Sequence, residues 1–123
     1  MATQTGYLFI FNDSPYGSQR TYNGLRLALA LARKTPIRVF LLGDGVTAAL
    51  AGPAPANPEY SPQEMLRAIA DETSPVGASP VRACRTCMEA RGLTETSLIA
   101  AVQPGTLDQL AAWTEEAEKV LCF

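Results

Sequence analysis

Tyr7-Leu8-Phe9-Ile10-Phe11, followed at once by Asn12-Asp13-Ser14-Pro15-Tyr16-Gly17-Ser18, is the stretch from which the fold follows. Five consecutive aromatic and branched residues, apolar on both faces, suit a central strand of a parallel sheet. The turn-forming cluster behind them ends that strand. Downstream, the pattern predicts a helix from Ser18 to Lys34, with Ser18 as N-cap and Arg33-Lys34 at the negative end of the dipole. Pro36 stops it. Ile37 to Leu42 reads as a second strand closed by Gly43-Asp44-Gly45, and Val46 to Ala51 as a short helical piece. A strand, a helix and a second strand at this spacing form a βαβ unit, and so an α/β protein.

The rest of the chain continues the alternation. Gly52 to Pro62 holds four of the nine prolines (53, 55, 58 and 62) and reads as an irregular surface loop that could close over a site. Ser61-Pro62-Gln63-Glu64 starts a helix ending near Thr73: a serine cap, proline at the first helical position, glutamate at the third. Val81 to Ala83 is a short strand, Cys84 to Arg91 a helix closed by Gly92, and Thr94 to Ala100 another short helix. Thr106 to Ala117 is a helix with Leu107, Leu110 and Ala111 on one face, and Val120 to Phe123 a last strand. The expected architecture is a three-layer α/β/α sandwich around a parallel sheet, one domain over residues 1–123. In such sheets the functional crevice lies at the carboxyl ends of the strands. Those ends carry Asn12-Asp13, Gly43-Asp44-Gly45 and Cys84.

Composition narrows the chemistry. The 123 residues are 47% hydrophobic and 18% charged, with a net charge of -2, so bulk charge attracts neither nucleic acid nor an anionic membrane surface. No apolar run reaches the ~20 residues of a membrane span. The first residues lack the basic start of a signal peptide, so no signal peptide is visible. The absence of histidine removes the usual general base and the Ser-His and Cys-His nucleophile pairs. Cys84, Cys87 and Cys122 remain, an odd number that argues against a disulfide framework.

A cysteine where a strand turns into a helix points its sulfur at free backbone N–H groups, which stabilise thiolate. Arg82, Arg85 and Arg91 add positive charge against a single Glu89. Cys84 is therefore the expected nucleophile, with Arg85 helping to lower its pKa. Cys87, one turn on, is an auxiliary or resolving thiol, and Cys122 an inert core or buried edge residue. The bland alternative is that both thiols of the Cys-x-x-Cys pair are simply buried. Structural zinc would need a fourth ligand from elsewhere. A Cys84-Cys87 dithiol oxidoreductase is a serious rival, although the thioredoxin fold places its pair after an early strand. The turns around Asn12, Asp13, Tyr16, Gly43 and Asp44 could hold a small anion such as phosphate, or a flavin, but neither G-x-G-x-x-G nor a phosphate-loop motif is present, and Asp13 and Asp44 read more readily as helix caps. Arg20 and Arg26 read as solvated and Trp113 as core or interface. Leu25 to Ala32 offers no polar face and so predicts a subunit interface.

Asn12-Asp13 with Pro15-Tyr16-Gly17-Ser18, Leu25-Arg26-Leu27-Ala28-Leu29-Ala30, Leu41-Leu42-Gly43-Asp44-Gly45-Val46 and Cys84 through Arg91-Gly92-Leu93 together resemble the DsrE/DsrF-like family. That family includes the DsrE and TusD sulfur-relay proteins and the YchN-like hexameric proteins. The resemblance spans nearly the whole chain in order. It implies a five-stranded parallel sheet, a cytoplasmic homo-oligomer (a hexamer in the YchN-like branch) and partners that donate and accept sulfur. In relay members the cysteine at the strand-to-helix junction, eight residues before the helix-ending glycine, carries sulfane sulfur, and Cys84 stands in that relation to Gly92. Such a sulfurtransferase needs no external cofactor, because the carried atom is the sulfur. Cys87 lies outside the relay pattern and suits the YchN-like branch, where an oligomeric ligand-binding module without catalysis is the other reading.

Overall fold

In the computed structural model the described residues are 6–53, 55, 57–73 and 79–123. The expectation drawn from the first five residues lies outside them, as do parts of the proline-rich loop. Five strands form one sheet: β1 (Tyr7–Phe11), β2 (Ile37–Leu41), β3 (Val81–Cys84), β4 (Gln103–Gly105) and β5 (Lys119–Cys122). Their spatial order is β4-β3-β2-β1-β5 and every pairing is parallel. The helices are α1 (Arg20–Ala32), α2 (Pro62–Thr73), α3 (Arg85–Ala90) and α4 (Leu107–Glu116). A 3₁₀ helix over Gly43–Ala49 follows β2.

The topology sets the layers. The chain steps from β1 to β4 in one direction across the sheet, so right-handed crossovers bring α1, α2 and α3 to one face. The return from β4 to β5 brings α4 to the other. Alternation along the strands divides the core accordingly. Phe9, Phe11, Val39, Leu41, Val81 and Ala83 pack under α1 and α2 with Leu25, Leu66 and Ile69. Leu8, Ile10, Phe40 and Cys84 pack on the other face with Leu110 of α4. With Phe11 opposite Leu41, and Leu41 opposite Ala83, the next positions (Asn12, Leu42 and Cys84) come level at the carboxyl edge.

Several expectations change. The sequence showed no strand at Gln103-Pro104-Gly105, yet these residues form edge strand β4. Pro104 lacks an N–H, which an edge strand tolerates. Thr94 to Ala100 is only one 3₁₀ turn, Glu95–Ser97, after which Leu98 bridges to Leu50. Ser18 is not the N-cap of α1: Gln19 is, with no side-chain cap, while Ser18 Oγ accepts from Arg20 N at 3.3 Å. Leu107 does not share the buried face of Leu110. It sits in the first turn of α4 and is 66% exposed. Cys122 is exposed, not core, because edge strand β5 is not covered there. The apolar stretch of α1 is largely satisfied within the subunit: Leu25, Ala28 and Ala32 are buried, Leu29 and Leu31 half-buried, and Leu27 is the leucine turned outward.

Candidate functional site

Cys84 is the last residue of β3 and the N-cap of α3. Its extended ψ of 119° turns the chain from strand to helix, so its side chain lies beside the first free N–H groups of α3. Sγ accepts from the backbone N–H of Cys87 at 3.4 Å. The helix is short, ended by Gly92 at φ 71°, a left-handed conformation that glycine adopts without strain. Arg91 N donates to Met88 O and Gly92 N to Glu89 O, closing the last turn.

Cys84 itself is buried beneath Leu110 and beside Phe40, and Cys87 is half-buried next to it. Burial pushes the Cys84 thiol above its ordinary pKa, because the apolar surroundings penalise thiolate. The N–H of Cys87 pulls it back, the Cys87 side chain raises it further, and the N–H of Thr86 lowers it slightly. The expectation of a lowered pKa is thereby corrected: the amides are present, but desolvation by the α4 face outweighs them. Arg85 does not contribute. It is exposed and lines a shallow depression with Met88, Glu89, Leu93, Thr94 and Glu95 on the outer side of α3.

The other arginines are engaged. Arg91 Nε and Nη2 both donate to Asp44 Oδ1, at 3.0 and 2.9 Å, and Nη1 donates to the Cys87 carbonyl at 3.0 Å. That pairing ties the turn after β2 to the far end of α3. Arg82 Nη1 donates to Pro104 O at 3.2 Å, while its buried Nε has no partner.

Of the remaining candidates, Asp13 and Asp44 line one hollow and Tyr16 another, while Asn12 and Gly43 line neither, nor does Cys84. Asp13 and Asp44 line a depression of about 250 Å³ with Ser14, Gly17 and Ser18. Two carboxylates in its wall disfavour a small anion, and Asp13 is already 3.5 Å from Arg20. Asn12 N and Nδ2 both donate to the terminal carbonyl of Phe123, at 2.8 and 3.5 Å, joining β1 to the end of β5. Gly43, at φ 51°, makes the turn after Leu42. Tyr16 belongs elsewhere, in a groove of about 630 Å³ on the α1–α2 side with Pro15, Tyr22, Pro53, Pro55, Tyr60 and Pro62. Its hydroxyl accepts from Gln63 Nε2 at 3.2 Å. The sequence did not single out Gln63, buried and also bonded to Leu50 O and Ser61 Oγ, because a glutamine at the start of a helix reads as surface. It missed Leu110 and Phe40 as neighbours of Cys84: the return crossover brings Leu110 there, and the pairing of β2 with β3 brings Phe40.

Among the described residues no three histidine, cysteine, aspartate or glutamate side chains gather as a metal site, and no helix is long and apolar enough to cross a membrane. A model of the DsrE/DsrF-like family matches residues 5–123. Protein YchN of Escherichia coli strain K12 is 40% identical over 119 residues, covering 94% of this chain and 97% of that protein. A protein named TusC homolog, from Vibrio parahaemolyticus, is 29% identical over 119 residues, covering 94% and 96%. The crystal structure of YchN from E. coli superposes with a TM-score of 0.83, covering 96% of this chain and 98% of that one.

Proposed function

The chain belongs to the DsrE/DsrF-like family, and on that footing we propose that it is a sulfur-relay protein that carries sulfane sulfur as a persulfide on Cys84. The observation that carries this reading is the position of Cys84: last residue of a strand, first cap of a helix, its sulfur held by the Cys87 N–H at 3.4 Å. A sulfur donor protein delivers the atom, and a thiol on an acceptor protein removes it by attacking the outer sulfur. The cargo is the sulfur, so the cycle calls for no external cofactor. Hand-over expels the Cys84 thiolate, whose burial works against it. Docking of the acceptor therefore has to supply charge or donors that the lone subunit lacks. The same reading puts the relay in the cytoplasm.

The test is direct. Reduced protein is incubated with a persulfide donor and the added sulfur is located by peptide mass spectrometry. It is expected on Cys84, and Cys84→Ser abolishes loading. Loading that persists unchanged in Cys84→Ser overturns the assignment.

The reading includes assembly of copies into a homo-oligomer. Of the apolar stretch in α1 Leu27 and Ala30 face outward; Leu27 and Val120 of β5 are 41% and 40% exposed, and Leu107 of α4 is 66% exposed. The contact is accordingly expected to include Leu107. Light scattering of the purified chain should show more than one subunit. Leu107→Glu should lower the assembly state, while a monomer at micromolar concentration sinks the idea.

A further inference from the structure

The pairing of the two thiols carries a consequence for the fate of the bound sulfur. Cys84 and Cys87 stand three residues apart across the first turn of α3, both packed against the α4-side core. As N-cap and third helical residue the two bracket that turn, and their thiols are close enough for the Cys87 side chain to act on Cys84 by hydrogen bond and by charge. A disulfide then needs the two Cβ atoms about 3.5–4.5 Å apart, a small closing of the helix's first turn. The Cys87 backbone N–H reaches Cys84 Sγ at 3.4 Å and fixes the turn between them, and the side-chain interaction keeps the second thiol near the sulfur that would carry the cargo. Cys122 cannot take this part. Three strand steps of about 4.8 Å separate β5 from β3, well beyond the reach of a disulfide.

We propose that Cys87 discharges the Cys84 persulfide from within, attacking Cys84 Sγ to form a Cys84–Cys87 disulfide and release the outer sulfur as hydrogen sulfide. The inference rests on the carrier reading and extends it. The bond that forms is Cys87 Sγ to Cys84 Sγ, and the bond that breaks is Cys84 Sγ to the sulfane sulfur. That sulfur gains two electrons and leaves as hydrosulfide, taking up the proton lost by Cys87. The two cysteine sulfurs together lose two electrons, so no external oxidant enters. Return to the dithiol takes two electrons from an external dithiol by ordinary exchange.

Two features favour attack on the inner sulfur. Cys87 adjoins Cys84 Sγ itself, and displacement there requires only that the outer sulfur lie opposite the incoming thiolate. Attack on the outer sulfur would also expel a buried Cys84 thiolate, a poor leaving group because its pKa is raised, instead of small, water-soluble hydrosulfide. A bound sulfur thus has two exits. An acceptor that docks takes it as a persulfide. Without one, Cys87 converts it to sulfide and locks the nucleophile as a disulfide.

The experiment uses the full chain carrying Cys122→Ser, reduced and then exposed to inorganic polysulfide. Sulfide is quantified while intact and peptide masses are followed. The expected course is transient gain of one sulfur atom on Cys84, then loss of two hydrogens in the Cys84–Cys87 peptide with release of sulfide. Cys87→Ser, and Cys87→Ala as the apolar substitute for a half-buried position, should keep the sulfur on Cys84 and release sulfide about tenfold more slowly or less. A long-lived persulfide on Cys84 with Cys87 intact, and no disulfide, overturns the internal discharge and leaves the carrier reading standing. Failure of Cys84 to gain sulfur even in Cys87→Ser overturns the carrier reading and the discharge with it.

Discussion

Gly45→Ala is expected to destabilise the chain by about 3 kcal/mol or more, as forced overpacking against an unyielding neighbour does. A Cβ on Gly45 would stand 2.2 Å from the Phe11 carbonyl oxygen and 2.9 Å from its carbon. Both are backbone atoms of a central strand, and the same oxygen accepts from Leu42 N at 2.9 Å. Neither can give way without separating the end of β1 from the turn after β2. Gly45 N also donates to Leu42 O at 2.7 Å, so a shift there loosens the start of the 3₁₀ helix. For a domain of 5–15 kcal/mol total stability this is a large fraction, and the melting temperature should fall by roughly 10 °C. Gly52→Ala is the control: nothing lies within 4 Å of its added Cβ. A Gly45→Ala protein as stable as the parent would mean that the turn does not approach β1 as described.

That turn also shows what the sequence could and could not reveal. The run Tyr7–Phe11 and the punctuation after it were enough for a parallel α/β fold, because a strand apolar on both faces has few other places to sit. Cys84 was legible as a junction residue from the change of pattern around it. What burial does to its thiol was not. Leu110 reaches Cys84 only through the long return from β4 to β5, and β4 is a Gln-Pro-Gly segment with no strand signature. The direction of Arg85 was equally hidden. In a helix of six residues, the position next to the cap can face outward while the cap itself faces the core. Exposure of Cys122 follows from β5 being an edge strand, a fact of sheet order and not of the residues around it. Tyr16 shows the same limit, since it shares a turn with Asn12 and Asp13 yet lines a different hollow.

Leu110→Ala should separate burial from every other influence on Cys84. Leu110 is 7% exposed and packs on Leu8, Ile10, Phe40 and Cys84. Truncation removes apolar contact and leaves a cavity, at a cost of about 2–4 kcal/mol. It also lets water approach Cys84, weakening the desolvation that is the largest cause of its raised pKa. The sign follows from the charge on the thiolate. In the parent chain Cys84 is held as thiol at neutral pH more firmly than an ordinary cysteine, and thiolate appears only as pH rises through the raised pKa. In Leu110→Ala that rise should move to lower pH. Peptide-resolved alkylation by iodoacetamide across a pH series reads the midpoint for Cys84, with exposed Cys122 as internal reference. Lost stability alone does not mimic the shift, because Gly45→Ala, comparably destabilised, leaves the packing of Leu110 on Cys84 in place and should leave the midpoint where it was. A Leu110→Ala midpoint equal to that of the parent would mean that the α4 face is not what keeps Cys84 protonated.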